Sequence, residues 1–211
     1  MILIITASIE EAEPIIKGLQ LDRDGTNPFE AYISRDFALV VSRVGKVNAA
    51  GATSYGVAKF KPKAIYNIGM ANSLHNDLQY SNIVAASAVF QTDAYLPVAG
   101  DKYNYFASGI SLSTDISRYK AGILATSDSY VDDQEIKNML SKSFHLADME
   151  GYAVARIAAL NEIPCSIYKV IGDNVVVMEQ KEYFDSNEQM LYHRISELID
   201  NLFVVKKTGL R

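Results

Sequence analysis

A single cysteine, Cys165, stands in the 211 residues. No intrachain disulfide is possible, and a reducing compartment fits. There is no basic block: the chain carries a mild net charge of -5, which argues against a broad nucleic-acid surface. No apolar run reaches the roughly 20 residues needed to span a bilayer as a helix, so no membrane partner is expected. The opening residues, MILIITASIEEAEPII, lack a basic leader and reach Glu10 early; they read as a strand, not a signal peptide. The three histidines, His75, His145 and His193, are scattered along the chain. No metal-ligand spacing, nucleophile motif or phosphate-cradling glycine loop accompanies them, and neither a metal nor a cofactor is expected. Linkers, repeats and low-complexity tracts are also missing. These absences point to a protein of the cytoplasm.

What is present is apolar: 49% of the residues are hydrophobic, enough for one sizeable core. ILIITA (2 to 7) reads as a buried strand. SIEEAEPIIKGL follows as a helix, with Ser8 as N-cap and Glu10 and Glu11 near its first turn. FEAYIS and FALVVSRV form a hairpin about Arg35 and Asp36. GKVNAAGATSYGVAKF, rich in small residues, reads as a closely packed helix. KAIYNIG (63 to 69) and NIVAASAVFQTDA are strands, and residues 95 to 120 a polar and aromatic loop. AGILATSD, HLADME and PCSIYKVIGD are further strands, alternating with helices at DDQEIKNMLSK and GYAVARIAALNE. SNEQMLYHRISELIDNLFVV closes the chain as an amphipathic helix presenting Met190, Leu191, Ile195, Leu198, Ile199 and Leu202. The alternation predicts one α/β domain over residues 1 to 211, with a central, mixed, mostly parallel twisted sheet flanked by helices.

In such sheets, ligands gather at the carboxyl ends of the strands. Carboxylates stand near three of those ends: Glu11, Glu150 and Asp173. Each has a plain structural reading. Glu150 is a helix N-terminal acid, Asp173 starts an Asp-Asn turn, and Glu11 lies on a solvated helix face. Together they suit chemistry with a cationic transition state and no metal. Cleavage of a glycosidic bond passes through such a species. One acid protonates the leaving group, another deprotonates water, and a third accepts hydrogen bonds from a vicinal diol.

VGKVNAA, YNIGMANSL, LATSDSYV, ADMEGYAVARIA, IPCSIYKVIGDN and YFDSNEQML follow one another in an order that resembles the nucleoside phosphorylase/nucleosidase superfamily. The likeness spans nearly the whole chain. It is closest to the hydrolase branch, the 5'-methylthioadenosine/S-adenosylhomocysteine nucleosidases and futalosine hydrolases. It implies a nucleoside phosphorylase-like fold and hydrolysis of a purine nucleoside to free base and ribose sugar. It also implies a homodimer in which a loop of one subunit closes the other's site. Carried over by the resemblance, Glu150 binds the ribose 2' and 3' hydroxyls and Met149 packs on the sugar. Asp173 protonates the purine at N7, and Glu11 orients and deprotonates the attacking water. The backbone near Ala71 and Asn72 and that of Val131 line the base pocket, Tyr130 flanks the purine, and Phe184 covers the sugar end. Met149, Tyr130 and Phe184 read equally as core residues.

The chain departs from the family in places. IGMANSL stands where relatives carry a small, glycine-rich turn, so Met70, Asn72 and Ser73 alter the base pocket. SIEEAE slides against the family by one or two places, leaving Glu10 and Glu13 as alternatives to Glu11. The arginine that phosphorylases use after the central strand is replaced by Asn67, with Arg35 and Arg43 as remaining phosphate contacts. This favours water over phosphate. Asp173 favours an adenine nucleoside over futalosine, and Asn174 beside it weakens that preference. A purine nucleoside phosphorylase and a non-catalytic nucleoside-binding protein on the same fold are the alternatives.

Overall fold

The computed structural model describes residues 1–98, 101–104, 109–173 and 180–204, with side chains except at 95–98, 101–104, 173 and 180–188. In order the elements are β1 (Ile2–Thr6), α1 (Ile9–Leu19), β2 (Asp22–Gly25), β3 (Glu30–Ile33), β4 (Phe37–Val41), α2 (Lys46–Phe60), β5 (Ala64–Ser73) and β6 (Ile83–Gln91). There follow β7 (Tyr95–Val98), β8 (Asp101–Asn104), β9 (Ile110–Ser111), β10 (Lys120–Thr126), α3 (Gln134–Leu140), β11 (Leu146–Asp148), α4 (Gly151–Leu160), β12 (Cys165–Asp173) and α5 (Gln180–Ile199). A π-helical turn, Asp200–Val204, follows α5.

The main sheet runs β11-β10-β6-β12-β5-β1-β4-β3-β2. Its centre is parallel: β4 with β1, β1 with β5, and β5 with β12. β12 and β6 are antiparallel, as is the β2-β3-β4 meander. β11 pairs with β10 on one side and returns to pair antiparallel with the far end of β5 on the other. Strands β5, β12, β6, β10 and β11 therefore form a closed ring.

Strands buried on both faces read as continuous apolar runs, which is why Leu3, Ile4 and Ile5 of β1 are fully buried. α2 and α4 pack together on one face. Their small residues (Ala49, Ala52 and Gly56 on α2, Ala155 and Ala158 on α4) let the backbones approach. On the other face α1 packs against α5, whose Leu191, Ile195, Leu198 and Ile199 join Ile4, Ile15 and Ile68 in a second core cluster.

Several elements depart from the sequence reading. β5 does not end at Gly69: the GMANS segment continues as strand because β12 and β11 supply partners on both sides. β2 is a polar strand, DRDG, that exists through its pairing with β3. The 95–120 segment contains a β7-β8 hairpin and the short β9. The closing helix starts at Gln180, earlier than expected, and Met190 points away from the core at 48% exposure. Among the described residues, no helix is long and apolar enough to cross a membrane.

Candidate active site

The carboxyl ends of β1, β5, β11 and β12 open onto a cavity of about 330 Å³. Its wall includes Ala7, Glu11, Val44, Met70, Ala71, Asn72, Tyr130, Val131, Met149 and Glu150. Seven of the nine residues singled out in the sequence thus meet at one place. The other two, Asp173 and Phe184, have side chains outside the described residues. The backbone of Asp173 ends β12 opposite Asn72, beside Gly172 in the cavity wall.

Glu11 is placed by its own helix start. Ser8 accepts from the Glu11 N–H at 3.3 Å, and the Glu11 carboxylate reaches back to the cap in a capping box. One carboxylate oxygen accepts from Ala7 N–H at 2.8 Å, and the other accepts from Met70 N–H on β5 at 2.8 Å. The same carboxylate lies across Gly69, where a Cβ would come within 2.8 Å of it. Glycine is required there by close approach. Glu10 and Glu13 are exposed and do not line the cavity. Of the three acids at this helix start, only Glu11 faces the site. Hydrogen bonding to Ser8, the largest influence, holds the Glu10 carboxyl below its ordinary value.

Glu150 is the helix N-terminal acid of its plain reading, yet its side chain does not cap that helix. It occupies the N-cap position of α4 but makes no side-chain cap hydrogen bond. That task falls to Asp148, which accepts from Gly151 N–H at 2.8 Å. The Glu150 carboxylate instead turns into the cavity and accepts from Gly45 N–H at 2.9 Å. Gly45 sits at φ +100, a conformation open to glycine, where β4 leads into α2. Burial, with the Asp148 charge adding to it, pushes the Glu150 carboxyl up to about 7; Lys169 and the Gly45 N–H pull the other way.

Beneath this layer lies a charge pair that the sequence reading missed. Lys169 of β12 meets Asp148 at 2.8 Å, and both side chains are almost fully buried. Asp148 also accepts from the Thr126 hydroxyl at 2.6 Å, which in turn accepts from Tyr152 N–H at 3.0 Å. Burial works to lower the Lys169 pKa, but the carboxylates of Asp148, Glu150 and Glu11 outweigh it and raise it. A lone lysine in the apolar run CSIYKVIGD was the available signal.

One wall of the cavity comes from the segment between β10 and α3. Asn72 donates to Val131 C=O at 3.4 Å. Tyr130 is 44% exposed and stands at the mouth, not in the core. The segment is tied to the start of α2. Lys46 N–H donates to Asp128 at 2.8 Å, and the Lys46 ammonium bridges Asp93 and Asp128.

The alternative phosphate contacts separate. Asn67 is buried in β5 and donates to Ile5 C=O, away from the cavity. Arg35 precedes β4 and so lies at the opposite edge of the sheet; Arg43 follows β4, at the site's edge. Two of the three histidines, expected to be scattered, stack: the His75 and His145 rings lie 5.1 Å apart, outside the cavity. Burial, and then the His75 charge, lower the His145 pKa. Among the described residues, no cluster of side chains suits a metal ion.

A family model described as "Phosphorylase superfamily" matches residues 1–203. The aminodeoxyfutalosine nucleosidase of Campylobacter jejuni is 25% identical over 210 residues, which covers 89% of this chain and 90% of that protein. The 5'-methylthioadenosine/S-adenosylhomocysteine nucleosidase of Oceanobacillus iheyensis is 27% identical over 191 residues, 82% of each. Among solved structures, a Helicobacter pylori 5'-methylthioadenosine/S-adenosylhomocysteine nucleosidase with butyl-thio-DADMe-Immucillin-A has a TM-score of 0.81 at 20% identity, covering 98% of this chain and 97% of that one. Futalosine hydrolase of the same species has a TM-score of 0.79 at 23% identity, covering 95% and 97%. These structural likenesses carry the shared fold.

Proposed function

Because the chain belongs to the phosphorylase superfamily, we infer that its cavity hydrolyses the N-glycosidic bond of a purine nucleoside. The observation that carries this reading is the pair of buried carboxylates, Glu11 and Glu150, in one cavity wall, with no arginine among the described residues that line it. In this reading the purine lies against Ala71, Asn72, Tyr130 and Val131. The ribose sits over Met149, with its 2' and 3' hydroxyls donating to Glu150, and Phe184 covers the sugar end. Asp173 gives a proton to N7, and the C1'–N9 bond breaks with its electron pair leaving on the base. A water molecule then forms the new C1'–O bond, and Glu11 takes its proton. The sugar is cationic as the bond breaks, and fixed negative charge near it lowers the barrier.

An adenine nucleoside, 5'-methylthioadenosine or S-adenosylhomocysteine, is the leading substrate, because Asp173 suits N7 protonation beside an amino group. The Campylobacter jejuni relative, named for aminodeoxyfutalosine, supports a second reading with that nucleoside. We assign the whole of residues 1 to 211 to one domain, acting as a homodimer in the cytoplasm. The test is a panel of purine nucleosides incubated with and without phosphate. Free base and free ribose sugar are expected, at a rate independent of phosphate. A sugar 1-phosphate that grows with added phosphate would overturn the hydrolase reading.

A further inference from the structure

Helix α2 begins without an acid of its own. Gly45, at its N-cap, has no side chain to offer, and the first turn holds no carboxylate. Two carboxylates arrive instead from far along the chain, where the helix dipole favours them. Gly45 N–H donates to Glu150 at 2.9 Å across 105 residues, and Lys46 N–H donates to Asp128 at 2.8 Å across 82. The two acids serve different parts of the site. Glu150 faces the cavity itself, and Asp128 immediately precedes Ser129, Tyr130 and Val131, which also line it. One step along the α2 backbone therefore sets the spacing between them.

Residues 127–133 belong to no helix or strand, so their place depends on individual bonds. Ser127 N–H donates to Asp148 C=O at 3.1 Å at one end, and Val131 C=O accepts from Asn72 nearer the other. Between them the Lys46 side chain makes the link. Its ammonium bridges Asp128 and Asp93, which lies just past the end of β6. Asp93 in turn accepts from Asp128 N–H at 2.7 Å. Burial works to raise the Asp93 pKa, but the Lys46 ammonium, the Asp128 N–H and Gln91 outweigh it and lower it. Without the ammonium, two carboxylates would stand together with nothing between them and repel. Asp128, the more exposed of the two, is the one able to move away, and the cavity wall beside it would follow. Such a pair contributes little to stability; its consequence is geometric.

We propose that Lys46 is a positioning residue for glycosidic cleavage: by tying Asp93 and Asp128 to the start of α2, it holds the 129–131 wall at a fixed spacing from the Glu150 carboxylate. The proposal rests on the nucleosidase reading above and deepens it. Lys46 is not among the residues that line the cavity, so it acts through others. A base seated against Tyr130 and Val131 brings its ribose diol to Glu150 only while the two walls keep their register. A misplacement of about 1 Å costs about 10²-fold in rate.

The test measures kcat and KM for the best-cleaved purine ribonucleoside of the panel and for its 2'-deoxy counterpart, in the wild type, Lys46→Met and Asp93→Asn. Both variants cut the same link, and Lys46→Met keeps the backbone N–H that donates to Asp128. For the ribonucleoside, kcat/KM should fall by about 10²-fold, mostly in kcat. The 2'-deoxy substrate has already lost part of the diol contact, so its fall should be only about tenfold. The ribo-to-deoxy ratio should therefore shrink about tenfold in both variants. A merely structural role would slow the two substrates alike. Should Lys46→Met fail to fold, Asp93→Asn, which keeps the size of its side chain, decides by the same ratio. Unchanged rates in folded variants, or equal losses for the two substrates, overturn the role of Lys46 and leave the nucleosidase reading standing. Failure of the wild type to cleave any purine nucleoside overturns both.

Discussion

Glu150→Gln should make the protein more stable at alkaline pH while disabling it. The Glu150 carboxyl has an ordinary value of 4.5, and burial, followed by the Asp148 charge, raises it to about 7. The folded state therefore holds this proton more tightly than the unfolded chain does. The stability so gained is fully present below the unfolded value of 4.5 and is lost as pH rises through about 7. The difference corresponds to about 3 kcal/mol of strain from the ionised group above neutrality. A glutamine keeps the oxygen that accepts from Gly45 N–H and carries no charge. For a chain of this size, that relief amounts to a Tm increase of about 6–12 °C. Calorimetric unfolding of wild type and variant from pH 4.5 to 9 reads it directly. The two proteins should unfold together below about pH 4.5, diverge as pH rises from there to about 7, and stay apart by a constant amount above it, with the variant higher. Purine nucleoside turnover should meanwhile fall steeply, because the ionised carboxylate supports the cationic sugar. Parallel Tm curves across the range would refute the idea that Glu150 is a strained buried charge, and unimpaired turnover would remove it from the diol.

Three further substitutions probe the layers around it. Gly69→Ala places a methyl 2.8 Å from the Glu11 carboxylate; the displaced base should lower kcat by about 10²-fold in steady-state assays, with little change in KM. Lys169→Met leaves Asp148 buried without its partner and should destabilise the fold by about 3–5 kcal/mol in urea titrations, with Asp148→Asn in the same chain recovering part of the loss. Asp173→Asn should reduce turnover of purine nucleosides by about 10²–10⁴-fold without altering the unfolding midpoint, and a near-normal rate would exclude Asp173 as the proton donor.

Elements whose causes are local were legible in the sequence. Ser8 as an N-cap marks the start of α1, while the inward turn of Glu11, which from the residues alone reads as a solvated helix face, is held by Met70 N–H on β5. The apolar run of β1 and the small-residue face of α2 announce their burial. The site was legible as a set of acids at strand ends, since strand-to-helix alternation fixes that edge. What escaped depends on pairing across long sequence distances. Nothing in DRDG reads as a strand until β3 lies beside it. GMANS looks like a turn, and becomes strand because β12 and β11 flank it. The partner that draws Glu150 away from its own helix is an N–H more than a hundred residues earlier, at Gly45. Likewise, Lys169 and Asp148 meet only when β12 and β11 enclose the same interior.

The buried charges also give a physical reason to prefer water over phosphate as nucleophile. Glu11, Asp148 and Glu150 surround one buried cation, Lys169. Asp148 satisfies that lysine directly, so among the described residues neither cavity-facing carboxylate has an ion-pair partner of its own. Burial, and then the Asp148 charge, hold a proton on Glu150 up to about neutrality. A phosphate dianion entering this field would meet repulsion in a poorly screened interior. In the reading proposed above, a sugar acquiring positive charge meets the opposite: it pairs with ionised Glu150 as the glycosidic bond breaks. In that reading, charge that opposes folding favours the transition state, and it does so without reorganisation of Glu11, whose oxygens are already fixed by Ala7 and Met70.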